Sequence, residues 1–264
     1  MMSTRLCFNI VFIGLSLFVA RVALGDDSKR LRILSYNIHH GEGVDGKLDL
    51  ERIAGVIRSV SPDLVSLQEV DRKVIRSKSV DQPAELARLC DMKVVFEKNI
   101  ELQGGEYGNA ILSKLPILSH RNHPLPMNNP GEARGVLAAE LKWSGHALPL
   151  LFLASHFDHR PDPGDRIASA YAINELVTGM ERPIVLAGDL NAPEDAEPLK
   201  VLLADWTNTA TKSMPTIPVK KPTRQIDFIL CKASGMRFKT VEIRVLDEEI
   251  ASDHRPIFAV IELQ

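Results

Sequence analysis

The chain has 264 residues, of which 45% are hydrophobic and 25% charged, and its formal net charge is −2. It is long enough to bury a sizeable core as one large domain or two small ones. The balanced charge lacks the basic footprint expected of a protein that grips long nucleic acid through its phosphates.

The first segment reads apart from the rest. "MMSTR" carries Arg5, an apolar run "LCFNIVFIGLSLFVA" follows, and "RVALGDD" turns polar with small residues at Ala23 and Gly25. A basic start, a short apolar core and a small-residue cleavage site describe a secretory signal. Residues 1–25 are therefore expected to be a signal peptide, the mature chain to begin near Asp26, and the protein to be exported to the periplasm or beyond. The apolar run, about 15 residues, falls short of the roughly 20 needed to cross a bilayer. No stable membrane span is expected in the mature chain. Cys90 and Cys231 then remain; both sit in apolar surroundings, and two buried thiols are expected rather than a bridge.

From residue 31 onward, strand and helix patterns mix. "LRILSYNI" and "DLVSLQEV" read as strands. Between them "LERIAGVIRSV" puts Leu50, Ile53, Ala54, Ile57 and Val60 on one helical face, with Asp49 as N-cap and Ser61–Pro62 as a stop. "PAELARLC" reads as a short helix and "MKVVFE" as a strand. "YGNAILS", "PILSHR", "RGVLAAELKW" and "ALPLLFLASH" are closely spaced strands, which suggests antiparallel pairing. "DRIASAYAINELVTG" is a helix ending at Gly179, "PIVLAGDLNA" a buried strand, and "AEPLKVLLA" a helix. "TKSMPTIPVKKPTRQ" is a Pro- and Lys-rich loop, and "QIDFILC", "FKTVEIRVL" and "PIFAVIEL" are strands. The two halves echo each other loosely, without a fixed period. Two sheets packed face to face with helices outside would bury these strands.

Many strands share one feature: a polar tip. Asn37 follows "LSY", Glu69 follows "LVSLQ", and His156 follows "LLFLAS". Asp189 and Asn191 follow "IVLAG", Asp227 opens "DFIL", and Asp253–His254 precede "PIFAVI". Taken singly, each has a plain structural reading, since Asp and Asn favour turns and a lone histidine is more often structural. Taken together, apolar runs flanked by carboxylate, amide or imidazole describe a site built on rigid strand ends. Oxygen donors without thiolates suit Mg2+, Mn2+ or Ca2+, with Glu69 the best first ligand and Mg2+ or Mn2+ the expected ion.

These segments carry a resemblance. "SYNI", "LQEV", "GNAILS", "SHFDH", "GDLNA", "QIDFIL" and "SDHRP" occur in the order seen in the endonuclease/exonuclease/phosphatase superfamily, over about residues 31 to 264. The resemblance implies an α/β fold, a four-layered α/β/β/α sandwich of two mixed, mainly antiparallel sheets with outer helices. It implies a divalent-metal-dependent phosphoester hydrolase in which water attacks phosphorus without a covalent enzyme intermediate. Glu69, Asn37 and Asp253 would attend the metal. Asn37, Arg134, Asn191 and His156 would contact the phosphate. Asp189 would align or deprotonate the water, with Asn191 holding it. Asp227 would fix the tautomer of His254, which stabilises the transition state. Glu106 could orient His156. Some relatives carry an acidic residue where this chain has His39, so the second acidic metal position has no match. His39, His40, Asp158 and His159 have no assigned role; solvent-facing turn histidines are the expectation for the first two. The substrate class stays open among nucleic acid, phospholipid and small phosphoesters. Neither sequence-specific nucleic-acid binding nor self-association is expected. A protein that binds a phosphate ligand without catalysis is the competing reading.

Overall fold

The computed structural model describes residues 30–264, so the expected signal peptide lies outside the described residues. Among the described residues, twelve strands and four α-helices follow one another. In the first half, β1 (Arg30–Asn37) leads into α1 (Leu50–Ser59), β2 (Leu64–Arg72), α2 (Gln82–Cys90), β3 (Lys93–Leu102) and β4 (Gly105–Ser113). The second half runs through β5 (Ile117–Pro124), β6 (Gly135–Leu141), β7 (Leu150–His156), α3 (Gly164–Leu176), β8 (Ile184–Asp189) and α4 (Glu197–Leu203). It closes with β9 (Thr207–Asn208), β10 (Asp227–Lys232), β11 (Phe238–Val245) and β12 (Ile257–Leu263).

One sheet has the order β11-β12-β1-β2-β4-β3 and the other β5-β6-β7-β8-β10-β9. Each has one parallel pair at its centre, β1 with β2 and β7 with β8; the other pairings are antiparallel. The expected pair of mixed, mainly antiparallel sheets is therefore observed.

Alternation along the strands explains the layers. Leu31 and Ile33 of β1, Phe152 and Ala154 of β7, Val185 and Ala187 of β8, and Ile229 of β10 pack together between the sheets. Their neighbours face the other way: Leu34 and Tyr36 meet Ile53 and Ile57 of α1, while Leu153, Leu186 and Phe228 meet Ile173 of α3 and Leu199 of α4. Asp49 caps α1 as expected, its carboxylate accepting from the Arg52 N–H at 2.9 Å. α3 ends at Leu176 rather than at Gly179, which sits in the following turn at φ 73°. Cys90 and Cys231 are both buried free thiols.

Two details pin the centre of the sandwich. Ser66 Oγ donates to the Ala187 carbonyl of the opposite sheet at 2.9 Å. Gly188 has no room for a side chain, because a Cβ there would lie 2.0 Å from the Ser155 carbonyl oxygen. The glycine of "GDLNA" thus permits the close approach of β7 and β8.

Candidate active site

The period of two carries straight into the site. Asn37 shares a face with Leu31 and Ile33, Asp189 with Val185 and Ala187, Asp227 with Ile229, and His156 with Phe152 and Ala154. All of them project between the sheets from one end of the sandwich, where the hydrophobic filling stops. Asp189 is register partner to both His156 and Asp227. His254 arrives at the same end because β12, antiparallel to β1, starts there.

Asp189 is the hub. Its Oδ2 accepts from Asn37 Nδ2 at 3.1 Å and faces His156 Nε2 at 3.5 Å and His254 Nε2 at 3.7 Å. Its Oδ1 accepts from the Asn191 backbone N–H at 2.9 Å. Asn191 takes a left-handed φ of 48°, which asparagine tolerates, and its amide donates to the Phe157 carbonyl at 3.0 Å. Burial and the nearby Asp227 carboxylate raise the pKa of Asp189, against the lowering pull of His254, Asn191 and Asn37.

His254 Nδ1 donates to Asp227 Oδ2 at 2.9 Å, and Thr216 Oγ1 donates to the same oxygen at 2.5 Å. Burial disfavours the imidazolium, but the Asp227 and Asp189 carboxylates outweigh it and lift the His254 pKa to about 10. His254 is thus a cation at neutral pH, with Nε2–H aimed at Asp189. His156 is the opposite case. Burial, then Arg134, hold its pKa well below the ordinary imidazole value. Arg134 is buried, with Nη1 2.9 Å from His156 Nδ1 and Nη2 3.2 Å from His159 Nδ1, and it pairs with Glu132.

Glu69 reaches the site through a break in pairing. The register of β2 with β4 shifts between Leu67 and Val70, and Glu69 takes φ 58°. A bulge of this kind re-aims a side chain. Asn37 Nδ2 donates to Glu69 Oε1 at 3.0 Å, so one amide ties the carboxylate of each sheet together. Asp253 stands exposed at the edge, its Oδ1 3.3 Å from Ser252 Oγ. Ser252 Oγ also donates to the Asn37 carbonyl at 2.7 Å, which anchors the Asp253–His254 turn to β1.

Glu69, Arg134, His156, Asp189, Asn191, Asp253 and His254 line one cleft of about 430 Å³. Asn37 and Asp227 are buried behind it. Sequence reasoning missed three of its walls. Arg76, held by Asp71 through two 2.9 Å bonds, Tyr107 and Glu132 also line it. Only the tertiary fold brings them there.

Two expectations are corrected. Glu106 does not orient His156; it lies opposite Arg72 in the β2–β4 ladder and pairs with that arginine. The reason is parity: Tyr107 faces the cleft, so its neighbour turns away. His39 and His40 are not solvent-facing. They are half-buried in a 3-10 turn, His39–Gly41, with ring centroids 4.5 Å apart. One ring nitrogen of each and a Glu69 carboxylate oxygen lie within 4.8 Å of one another.

The Endonuclease/Exonuclease/phosphatase family matches residues 34–254. The uncharacterized protein YbhP of Escherichia coli (strain K12) is 27% identical over 248 residues, 88% of this chain and 96% of its own. An endonuclease/exonuclease/phosphatase from Beutenbergia cavernae DSM 12333 superposes with a TM-score of 0.72 at 24% identity, covering 89% of this chain and 72% of that one. A mannosyl-6-phosphatase from Bacteroides thetaiotaomicron VPI-5482 does so with a TM-score of 0.72 at 18% identity, over 89% and 99% of the two chains.

Proposed function

The chain belongs to the endonuclease/exonuclease/phosphatase family, and from that premise we propose that it is an exported phosphoester hydrolase, dependent on a divalent cation, in which water attacks phosphorus in line. The observation that carries the reading is the convergence on Asp189 Oδ2 of the Asn37 amide and the Nε2 atoms of His156 and His254, at 3.1, 3.5 and 3.7 Å. One hydrogen bond and two imidazole nitrogens at ion-pair distance surround this buried carboxylate oxygen beside the cleft.

In this reading Asp189 orients the attacking water and takes its proton. Its raised pKa makes it a better base at neutral pH than an ordinary carboxylate. Cationic His254, backed by Asp227, donates through Nε2 to the phosphoryl oxygens as their charge grows, in a site already arranged to receive it. Arg134 and Asn191 hold the remaining oxygens, and neutral His156 donates from Nε2.

The donors fit a divalent cation. Glu69 has one oxygen engaged by Asn37 and faces the cleft, and Asp253 stands at its edge. Glu69, with Asn37 bonded to it and Asp253 on the same cleft, would hold Mg2+ or Mn2+. A bound cation there would polarise the phosphoryl group and offset its charge. Among the described residues no helix is long and apolar enough to cross a membrane.

The test is a panel of phosphoesters with purified protein: bis-p-nitrophenyl phosphate, a phosphosugar, plasmid DNA and sphingomyelin. Turnover of at least one, abolished by EDTA and restored by Mg2+ or Mn2+, is expected. Full activity in a chelated sample would remove the cation from the reading. Phosphate binding without turnover of any substrate would favour the binding protein. N-terminal sequencing of exported material should begin near Asp26; Met1 or Met2 would indicate a retained anchor.

A further inference from the structure

The turn after β1 holds two histidines in a conformation that needs explaining. His39 and His40 both take φ 45°, in the left-handed region that side chains rarely adopt, and strain of this kind collects at functional sites. The turn is locked from several sides. The His39 N–H donates to Asn37 Oδ1 at 3.0 Å, the Gly41 N–H to the Ile38 carbonyl at 2.8 Å, and Gln82 Nε2 to the His40 carbonyl at 2.6 Å.

The ring nitrogens repeat one pattern. His39 Nδ1 lies 3.0 Å from the Glu42 carbonyl oxygen, which only accepts, so Nδ1 carries the proton and Nε2 keeps its lone pair. His40 Nε2 faces the Glu42 carboxylate at 3.7 Å, while its Nδ1 is buried without a hydrogen-bond partner. His39, tied by one nitrogen to a carbonyl and left free at the other, has the arrangement of a metal-bound histidine, and His40 adds a buried nitrogen without a partner. Glu69 stands beside both, with one atom from each of the three residues inside 4.8 Å. The positive charge of Arg76 nearby is offset by its two bonds to Asp71.

We propose that His39 and His40 join Glu69 as ligands of the hydrolase's cation, and that these nitrogen donors make the site prefer a first-row transition ion over Mg2+. Magnesium seeks oxygen donors and keeps its waters, whereas imidazole favours transition ions. The proposal deepens the hydrolase reading and rests on it only for the purpose of the ion.

Its test reads binding rather than turnover. Metal-free protein is titrated with Mn2+ alone and in competition with Mg2+, and the Mn2+ complex is examined by pulsed electron paramagnetic resonance for coupling to 14N. Histidine nitrogen coupling and Mn2+ affinity at least about tenfold above that for Mg2+ are expected. His39→Asn and His40→Asn, chosen because asparagine accepts the left-handed turn, should each weaken Mn2+ by about tenfold or more and reduce the nitrogen signal, with little change for Mg2+. Mn2+ bound without nitrogen coupling overturns the proposal even if no variant folds, because that measurement needs only the wild-type chain. Folded variants that keep full Mn2+ affinity also overturn it. Nitrogen coupling in a protein that hydrolyses no phosphoester supports the site and overturns the function proposed above.

Discussion

Arg134 Nη1 lies 2.9 Å from His156 Nδ1, and that contact sets the state of the imidazole. A guanidinium only donates, so Nδ1 must accept and Nε2 must carry the proton that faces Asp189. The arginine therefore does two things at once: it keeps His156 a neutral donor, and it brings a fixed positive charge to the wall of the cleft.

Replacing Arg134 by Met should separate these effects. The His156 pKa, held down by burial and then by Arg134, should rise toward the ordinary imidazole value, as read from 15N histidine shifts. A charge-assisted contact to phosphate is worth about 1.5–3 kcal/mol, so KM should rise about 10- to 100-fold. An unchanged KM would mean that Arg134 does not touch substrate.

The pH profile should be bell-shaped. Asp189 must be ionised to accept a proton, and its pKa is raised, so the acid limb should lie above the ordinary carboxylate value of about 3.9. His254 must be protonated, so activity should fall as pH rises through about 10. Asp227 raises both pKa values, so Asp227→Asn should move both limbs to lower pH. A profile whose limbs stay in place would separate Asp227 from the reacting groups.

Asp189→Ala and His254→Ala should each lower kcat more than they raise KM, because both groups act on charge that grows only toward the transition state. Loss of one preorganised donor elsewhere costs on the order of 10²–10³ in rate, and the double variant should fall short of the product of the single losses. Glu106→Gln, which disturbs a pair outside the cleft, should stay near wild type. Folded Asp189→Ala with near-normal kcat would refute the assignment.

What could be read from the sequence follows from periodicity. Asn37, His156, Asp189 and Asp227 sit at even spacing from buried apolar residues on their own strands, so their common direction is local information. The layers follow for the same reason. Glu69 was legible as a residue type, but the bulge that aims it is set by pairing with β4. His39 and His40 were misjudged because a polar turn ordinarily faces water; Gln82, far along the chain, folds this one inward. Arg76 and Tyr107 reach the cleft only through tertiary packing. Glu106 failed on parity, one residue out of step with Tyr107.

The close approach at Gly188 makes a stability prediction. Gly188→Ala would press a Cβ to 2.0 Å from the Ser155 carbonyl, and backbone has no rotamer through which to yield. Overpacking of this kind costs about 1–3 kcal/mol, which urea denaturation should register as a lower midpoint. Because the shift would move β8 against β7, and Asp189 with it, kcat should fall as well.

The last prediction concerns the loop that the sequence offered only as Pro- and Lys-rich. Thr216 lies inside it, fully buried, and its hydroxyl donates to Asp227 Oδ2, the oxygen that also accepts the hydrogen bond from His254 Nδ1–H. The other oxygen, Oδ1, is buried without a hydrogen-bond partner. Thr216→Val keeps the shape and removes the donor, leaving Asp227 with His254 as its remaining side-chain donor. A buried acceptor stripped of a partner costs about 1–3 kcal/mol, so the midpoint of urea denaturation should fall accordingly. Thr216 is fully buried and does not line the cleft, so the fall in kcat should be smaller than for His254→Ala. It should come with an altered alkaline limb, because His254 titrates against the carboxylate that Thr216 helps to hold. A drop in stability with the pH profile unmoved would reduce Thr216 to a structural loop residue, and His254 would then be the side chain that holds Asp227.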